Sequence, residues 1–128
     1  MSDRLLDAYK SVLEVHHEIK ERLVPGATCS SIYDWAVKRM ETLGYAENFM
    51  GYGHNQVIFV GHGIGVEVDE YPFLSRKNPM SLATGMTVAV EPKLVFPSEG
   101  IVGIEDTYLI TLKDAERLTT SPQNIIIC

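Results

Sequence analysis

The chain has 128 residues, 45% apolar and 22% charged, the composition of a single folded domain, which excludes disordered, collagen-like and other fibrous classes. Eleven Lys and Arg stand against seventeen Asp and Glu, a net charge of -6 at pH 7, so a nucleic acid held by bulk electrostatics is not expected. The longest apolar runs, 57–60 and 125–128, fall far short of the roughly 20 residues that span a bilayer, and no membrane partner is expected either. Residues 1–10 lack the basic start, apolar stretch and cleavage site of a secretory leader, which makes the cytoplasm the expected location. Cys29 and Cys128 are too far apart in sequence for a thiolate metal motif and read as free thiols.

In chain order, Leu5, Tyr9, Val12, Leu13, His16, Ile19 and Leu23 recur at steps of three and four, which predicts an amphipathic helix over 2–24. Pro25 and Gly26 break it, because proline disfavours helical geometry in the residue before it. Thr28 is placed to cap a second helix with a stripe of Ile32, Trp35, Ala36, Met40 and Leu43, which Gly44 ends. Beyond Gly44, glycines punctuate short segments rich in Val, Ile and Phe, and strands are predicted at 56–60, 65–69, 86–96, 101–111 and 124–127, with 75–81 as a polar loop. No repeat or linker divides 1–128. The pattern predicts one α+β domain with its two N-terminal helices on one face of a sheet.

Three polar residues interrupt the strand candidates. His62 lies in Gly61-His62-Gly63-Ile64-Gly65, where glycine lets the backbone turn sharply or approach a ligand without Cβ interference. Alone, this reads equally as a glycine-rich turn with an incidental histidine, and a dinucleotide loop is disfavoured because no helix follows. A period of two puts Glu91 on the face of Thr87 and Ala89, away from Met86, Val88 and Val90. A carboxylate over such small residues costs several kcal/mol to desolvate unless a cation or strong donors meet it; the alternative is an edge glutamate reaching water, which Pro92 favours. Glu105 shares its face with Gly103 and Thr107, whereas Asp106 points the other way beside Ile104 and Tyr108. His62, Glu91 and Glu105 are donors that Mn²⁺, Co²⁺, Fe²⁺ or Zn²⁺ accept, so a metal site in one hollow is expected. Without an ion the two glutamates repel, and one of them is expected either to have a raised pKa or to be paired with Lys93 or another donor. His16 and His17 diverge by about one hundred degrees on a helix and cannot chelate one ion, so surface or partly buried roles are expected. Glu67 reads as solvated and His54 as a turn residue.

The ordered segments GHGIG, VEVDEYP, GMTVAVEPK and VGIEDT closely resemble the C-terminal half of the pita-bread metallopeptidases, which include methionine aminopeptidase, aminopeptidase P and Xaa-Pro dipeptidase. The resemblance covers nearly the whole chain. The break at Pro25-Gly26 and the segment Phe49-Met50-Gly51-Tyr52-Gly53 are most similar to the Xaa-Pro dipeptidase and aminopeptidase P branch. The resemblance implies a curved, mainly antiparallel sheet that is half of a pita-bread fold. It implies His62 as the histidine ligand, Glu91 of the EP pair as a glutamate ligand and Glu105 of the ED pair as the glutamate that bridges two metals. It further implies metal-supplied hydroxide that removes an N-terminal residue or splits an Xaa-Pro peptide, with a proline-containing peptide as partner.

The family's other two ligands are aspartates on a hairpin ahead of the two-helix segment, which these residues do not include. Three protein ligands lead to the expectation of a mononuclear site at most, in a chain that alone is weakly active or inactive. The family histidines four before and seven after the metal-binding one correspond to Ile58 and Asp69, and an arginine two before the bridging glutamate corresponds to Gly103. Gly63, Asp69 and Lys93 are candidates for contacts to substrate or behind the ligands. Two readings stand: a hydrolase portion, favoured by His62, Glu91 and Glu105, and a peptidase-like peptide- or protein-binding module without chemistry, favoured by Ile58 and Asp69. A half fold is expected to leave an apolar sheet face uncovered, which predicts a homodimer whose second copy stands in for the missing half.

Overall fold

The computed structural model describes residues 2–125. Helices α1 (Asp3–Lys20) and α2 (Cys29–Thr42) are capped by Ser2 and Thr28, whose side-chain oxygens each accept the N–H three residues on at 3.3 Å, satisfying donors that a first turn leaves free. α1 stops at Lys20 rather than at residue 24. Tight turns replace its last part, with the Arg22 N–H donating to the Ile19 carbonyl at 2.8 Å and the Ala27 N–H to the Val24 carbonyl at 3.1 Å. Gly44, at φ 86°, ends α2. No helix among the described residues is long and apolar enough to cross a membrane.

Among the described residues seven strands follow: β1 (Phe59–Gly63), β2 (Glu70–Ser75), β3 (Thr87–Val90), β4 (Lys93–Phe96), β5 (Gly100–Gly103), β6 (Asp106–Ile110) and β7 (Ala115–Arg117). Five form an antiparallel sheet in the order β2-β1-β3-β6-β7, and β4 pairs with β5 in a two-stranded ribbon. Val60, Leu74, Val88, Tyr108 and Ile110 of the sheet share one core with Val12, Ile19, Ile32 and Met40 of the helices. The α+β architecture, two helices on a mainly antiparallel sheet, is the one expected. The sheet's other face is mixed rather than apolar, carrying His62, Thr87, Ala89 and Thr107 beside Phe73 and Leu109.

Several strand expectations are corrected. The strand placed at 56–60 begins at Phe59 and runs through the glycines, so Gly61-His62-Gly63 is not a turn. A Cβ on Gly61 would collide with the Ala89 carbonyl oxygen on β3, and one on Gly63 with the Tyr71 carbonyl oxygen on β2. Glycine here lets three backbones close around His62. Residues 65–69 bend instead of pairing, with the Gly65 N–H donating to the Glu67 carbonyl and the Glu67 N–H to the Glu70 carboxylate, both at 3.1 Å. Val66 is left 99% exposed, so its alternation with Val68 serves no buried face. The strand is β2, whose Pro72 and Leu74 are buried while Tyr71 is exposed; Pro72 disguised it, and proline is tolerated because β2 is an edge.

The long strands expected at 86–96 and 101–111 each divide, at Glu91-Pro92 and Ile104-Glu105. The pairing register nevertheless continues unshifted, from Val90 opposite Asp106 to Lys93 opposite Gly103. β7 is too short to show a period and was not anticipated. Residues 124–125 are irregular, and the remainder of the strand expected at 124–127, with Cys128, lies outside the described residues. Cys29 is a free, buried thiol. Gly61→Ala is expected to destabilise the fold by about 1–3 kcal/mol or more, because backbone rather than a flexible side chain must give way; urea denaturation measures it, and an unchanged midpoint would refute the close-approach argument.

Candidate metal centre

β1 sets His62 between Phe73 of β2 and Ala89 of β3, and Ala89 in turn faces Thr107 of β6. Residues directly opposite share a face, so one row reads Phe73, His62, Ala89, Thr107, and its two small members leave room beside the imidazole. His62 is buried, and its Nδ1 lies 2.8 Å from the Gly63 carbonyl oxygen. A carbonyl only accepts, so Nδ1 carries the proton and Nε2 is the outward donor atom, the orientation ligating histidines use. Nε2 lies 2.9 Å from Asp69 Oδ1 and 3.5 Å from Glu91 Oε1. Two carboxylates around one ring nitrogen form a donor set that a cation can satisfy.

Glu91 follows β3 and is half-buried; the unshifted register sets it opposite Glu105, which precedes β6. Like charges directly opposite repel. Lys93 relieves this as expected, its Nζ donating to Glu91 Oε2 at 2.9 Å. Glu91, Lys93, Gly103, Ile104 and Glu105 line an open cleft of about 360 Å³. A Cβ on Gly103 would stand 2.8 Å from the Lys93 Cβ, so the lysine stem fills the space a side chain at position 103 would need.

The structure therefore brings His62 to Glu91 and sets Glu105 across the cleft from Glu91. Among the described residues no three His, Cys, Asp or Glu side chains close on one point at metal-holding distance, since Glu91 is turned to Lys93 and His62 to Asp69. The donor chemistry fits a divalent ion: an oriented imidazole nitrogen and a carboxylate oxygen 3.5 Å apart are spaced like two ligands of one ion with bonds of about 2.0–2.2 Å. Of the other candidates, Gly63 presents its carbonyl to Nδ1 and Asp69 its carboxylate to Nε2.

Asp106, the second carboxylate of the ED pair, faces away from this cleft and is almost wholly buried. It accepts hydrogen bonds from Gln123 Nε2 at 2.7 Å and from the Thr119 hydroxyl, and lies 3.0 Å from His16 Nε2. Arg117 Nε approaches to 2.8 Å without hydrogen-bond alignment and contributes charge. His16, expected at most partly buried, has no exposed surface, because its partner Asp106 stands 90 positions away on β6. Its Nε2 also lies 2.9 Å from the Tyr108 hydroxyl, and its Nδ1 has no hydrogen-bond partner among the described residues. Desolvation holds the His16 pKa below its ordinary value against the pull of Asp106. Burial pushes the Asp106 carboxyl up, but the contacts from Thr119, Gln123, Arg117 and His16 outweigh it and hold the pKa low. Tyr108 is pushed up to about 12 by burial and by the Asp106 charge.

Residues 1–112 match the model of metallopeptidase family M24. The chain belongs to that family. It is 32% identical over 125 residues to the Xaa-Pro dipeptidase of Pyrococcus furiosus, an alignment covering 98% of this chain and 34% of that protein. Among solved structures, the prolidase of Pyrococcus horikoshii OT3 superposes with a TM-score of 0.87 at 33% identity, covering 98% of this chain and 34% of its own. The X-Pro aminopeptidase of Thermotoga maritima MSB8 gives 0.88 at 29% identity, covering 99% and 34%. This M24 chain thus spans about a third of the length of the relatives it matches.

The buried histidine of this M24 chain sets a pH dependence of stability. In the unfolded chain His16 takes up a proton near its ordinary pKa of 6.5, while the folded state resists it. The unfolded state therefore binds more protons as pH falls, and stability is expected to decline below about pH 6.5. A second decline is expected below the ordinary carboxyl value of 3.8, as pH falls toward the lower folded pKa of Asp106. Thermal melts between pH 7 and pH 5 measure the first step; His16→Gln should flatten it, and a melting point that rises on acidification would reject it.

Proposed function

We propose that this chain supplies His62, Glu91 and Glu105 to a metallopeptidase site acting on amino-terminal Xaa-Pro peptides. The observation that carries the proposal is the register that sets Glu91 opposite Glu105 beside an imidazole oriented by Gly63, two facing acids of which only Glu91 meets a lysine among the described residues. Membership of family M24 and likeness to Xaa-Pro dipeptidases support it. When bound, a divalent ion (Mn²⁺, Co²⁺, Fe²⁺ or Zn²⁺) polarises a carbonyl and lowers the pKa of water. The chain's own groups do the rest: His62 offers Nε2, Gly63 keeps its tautomer, Asp69 orients the ring from the Nε2 side, and Lys93 neutralises Glu91. With three protein ligands the site is mononuclear at most and by itself weakly active or inactive, and a segment bearing two aspartates completes it. A homodimer whose second copy covers the site face belongs to the same proposal.

The reading as a peptide-binding module is favoured by one observation: Ile58, where the family has a histidine, is 54% exposed on an aromatic-lined cleft. Titration with Co²⁺ separates the two. One equivalent is expected to bind with visible d–d absorption, and affinity is expected to fall about 10-fold or more in Glu91→Gln and Glu105→Gln. Slow Xaa-Pro turnover with Mn²⁺ or Co²⁺ should vanish in Glu105→Gln. Failure of the wild-type chain to take up metal rejects the hydrolase reading, and peptide binding indifferent to chelator supports the module. A monomer by light scattering at micromolar concentration ends the dimer proposal.

A further inference from the structure

One cation stands in a cleft otherwise charged by acids. Among the described residues that line it, Glu91 and Glu105 are negative and Lys93 alone is positive. Glu91 and Lys93 are two positions apart in an unshifted register, so both reach the cleft side. The Lys93 Nζ donates to Glu91 Oε2 at 2.9 Å, while Glu91 Oε1 lies 3.5 Å from His62 Nε2. One carboxylate is thus shared between an imidazole nitrogen and an ammonium group. Glu105 joins no ion pair among the described residues.

The backbone makes room for this lysine. Gly103 is its direct partner across the β4–β5 ribbon, and a Cβ there would stand 2.8 Å from the Lys93 Cβ and 3.3 Å from the Pro92 carbonyl oxygen. The Gly103 backbone lies outside the left-handed region, so glycine is required by the lysine stem and not by a turn. The half-buried stem runs against β5 and ends on a half-buried carboxylate. Asp69 also stands at His62 Nε2, but an exposed carboxylate can turn aside or join an ion as a further ligand. An ammonium group has three donors and no lone pair; it can hold Glu91 or leave it, and cannot ligate.

We propose that Lys93 is a tethered cation that competes with a divalent ion for Glu91 and so sets the metal affinity of the cleft. The proposal rests on the metallopeptidase reading for the ion itself, and it goes further in assigning a residue that opposes uptake. In the metal-free chain Lys93 offsets the charge of Glu91 where it faces Glu105. For Glu91 to bind an ion beside His62, its pairing with Lys93 must weaken, and the ammonium group then repels the divalent charge next to it. Lys93 therefore favours the metal-free cleft over the metal-bound one, and a cation loses affinity by that difference.

Titration of the wild-type chain, Lys93→Leu and Lys93→Arg with Co²⁺ tests this, read by visible absorption and by the melting temperature at a fixed Co²⁺ concentration. Leucine keeps an apolar stem but brings neither charge nor donor atom, so it adds no ligand. Lys93→Leu is expected to bind one equivalent about tenfold more tightly than wild type, with the same absorption bands. It should melt below wild type without metal and gain more on adding Co²⁺, a pair of changes that mere loosening of the fold would not produce. Lys93→Arg keeps the charge and should stay near the wild-type affinity. A leucine variant that binds no more tightly than wild type, or an arginine variant that gains as much as leucine, overturns the proposal. The two readings fail separately. Uptake by wild type without a gain in Lys93→Leu rejects the tethered cation alone, and uptake by neither rejects the metallopeptidase reading and the proposal with it. Uptake by Lys93→Leu only supports the tethered cation and rejects the hydrolase reading of the natural chain.

Discussion

An antiparallel register that does not slip between Val90 and Lys93 places the charged groups of the cleft. Because β3 continues into β4, and β5 into β6, as one unshifted pair, Glu91 must oppose Glu105 and Lys93 must oppose Gly103. A slip of one residue in the β3 strand would turn Glu91 to the core face. The adjacent acids Glu105 and Asp106 then take different roles from strand parity alone, one facing the open cleft and the other entering the core to meet His16. The glycines on β1 serve the same geometry from the other side. They let β2 and β3 approach until His62 is enclosed by backbone, with Nδ1 closed off by a carbonyl and only Nε2 left to meet the carboxylates.

Much of this was legible in the sequence, for physical reasons that can be named. The helices announced themselves because their stripes are long and their ends carry Thr28, Pro25-Gly26 and Gly44. The faces of Glu91 and Glu105 followed from a period of two, which survives interruptions of hydrogen bonding at Pro92 and Ile104. What could not be read were features set by distant partners. Val66 and Val68 alternate like a strand but have no surface to cover, whereas Tyr71 to Leu74 form one behind a proline. Gly61 and Gly63 look like turn residues until the carbonyls of Ala89 and Tyr71 are known to press against them. His16 reads as at most partly buried because its partners Asp106 and Tyr108 are both remote along the chain.

Charge in the cleft is arranged around substitutions at the positions the family resemblance singles out. The stem of Lys93 fills the space opposite Gly103, so one cation reaches the cleft from β4 where a side chain from β5 would collide with it. Asp69 supplies a carboxylate at His62 Nε2, where the corresponding family residue is a histidine, and Ile58 leaves an apolar surface in place of another. The net result is a pairing of His62 with Asp69 and of Glu91 with Lys93, while Glu105 joins no ion pair among the described residues. A divalent ion entering here must displace these partners, so its affinity is reduced by the stability of the contacts it breaks.

The separation of core and site explains how a chain about a third as long as its relatives holds this geometry. The helices bury Val60, Leu74, Val88, Tyr108 and Ile110 on one side of the sheet. The opposite side carries His62, Thr87, Ala89 and Thr107 beside Phe73 and Leu109, all of them buried or half-buried. The Asp106 hub adds a second tie, joining α1, β6, β7 and the segment around Gln123 without drawing on any group of the cleft. Packing and the cleft thus meet where a buried residue adjoins a cleft residue, at Val90-Glu91 and at Glu105-Asp106. A change to the cleft residues can alter what is bound while leaving the core intact, whereas a change at Asp106 leaves His16 and Arg117 without their shared partner and moves Glu105 with it.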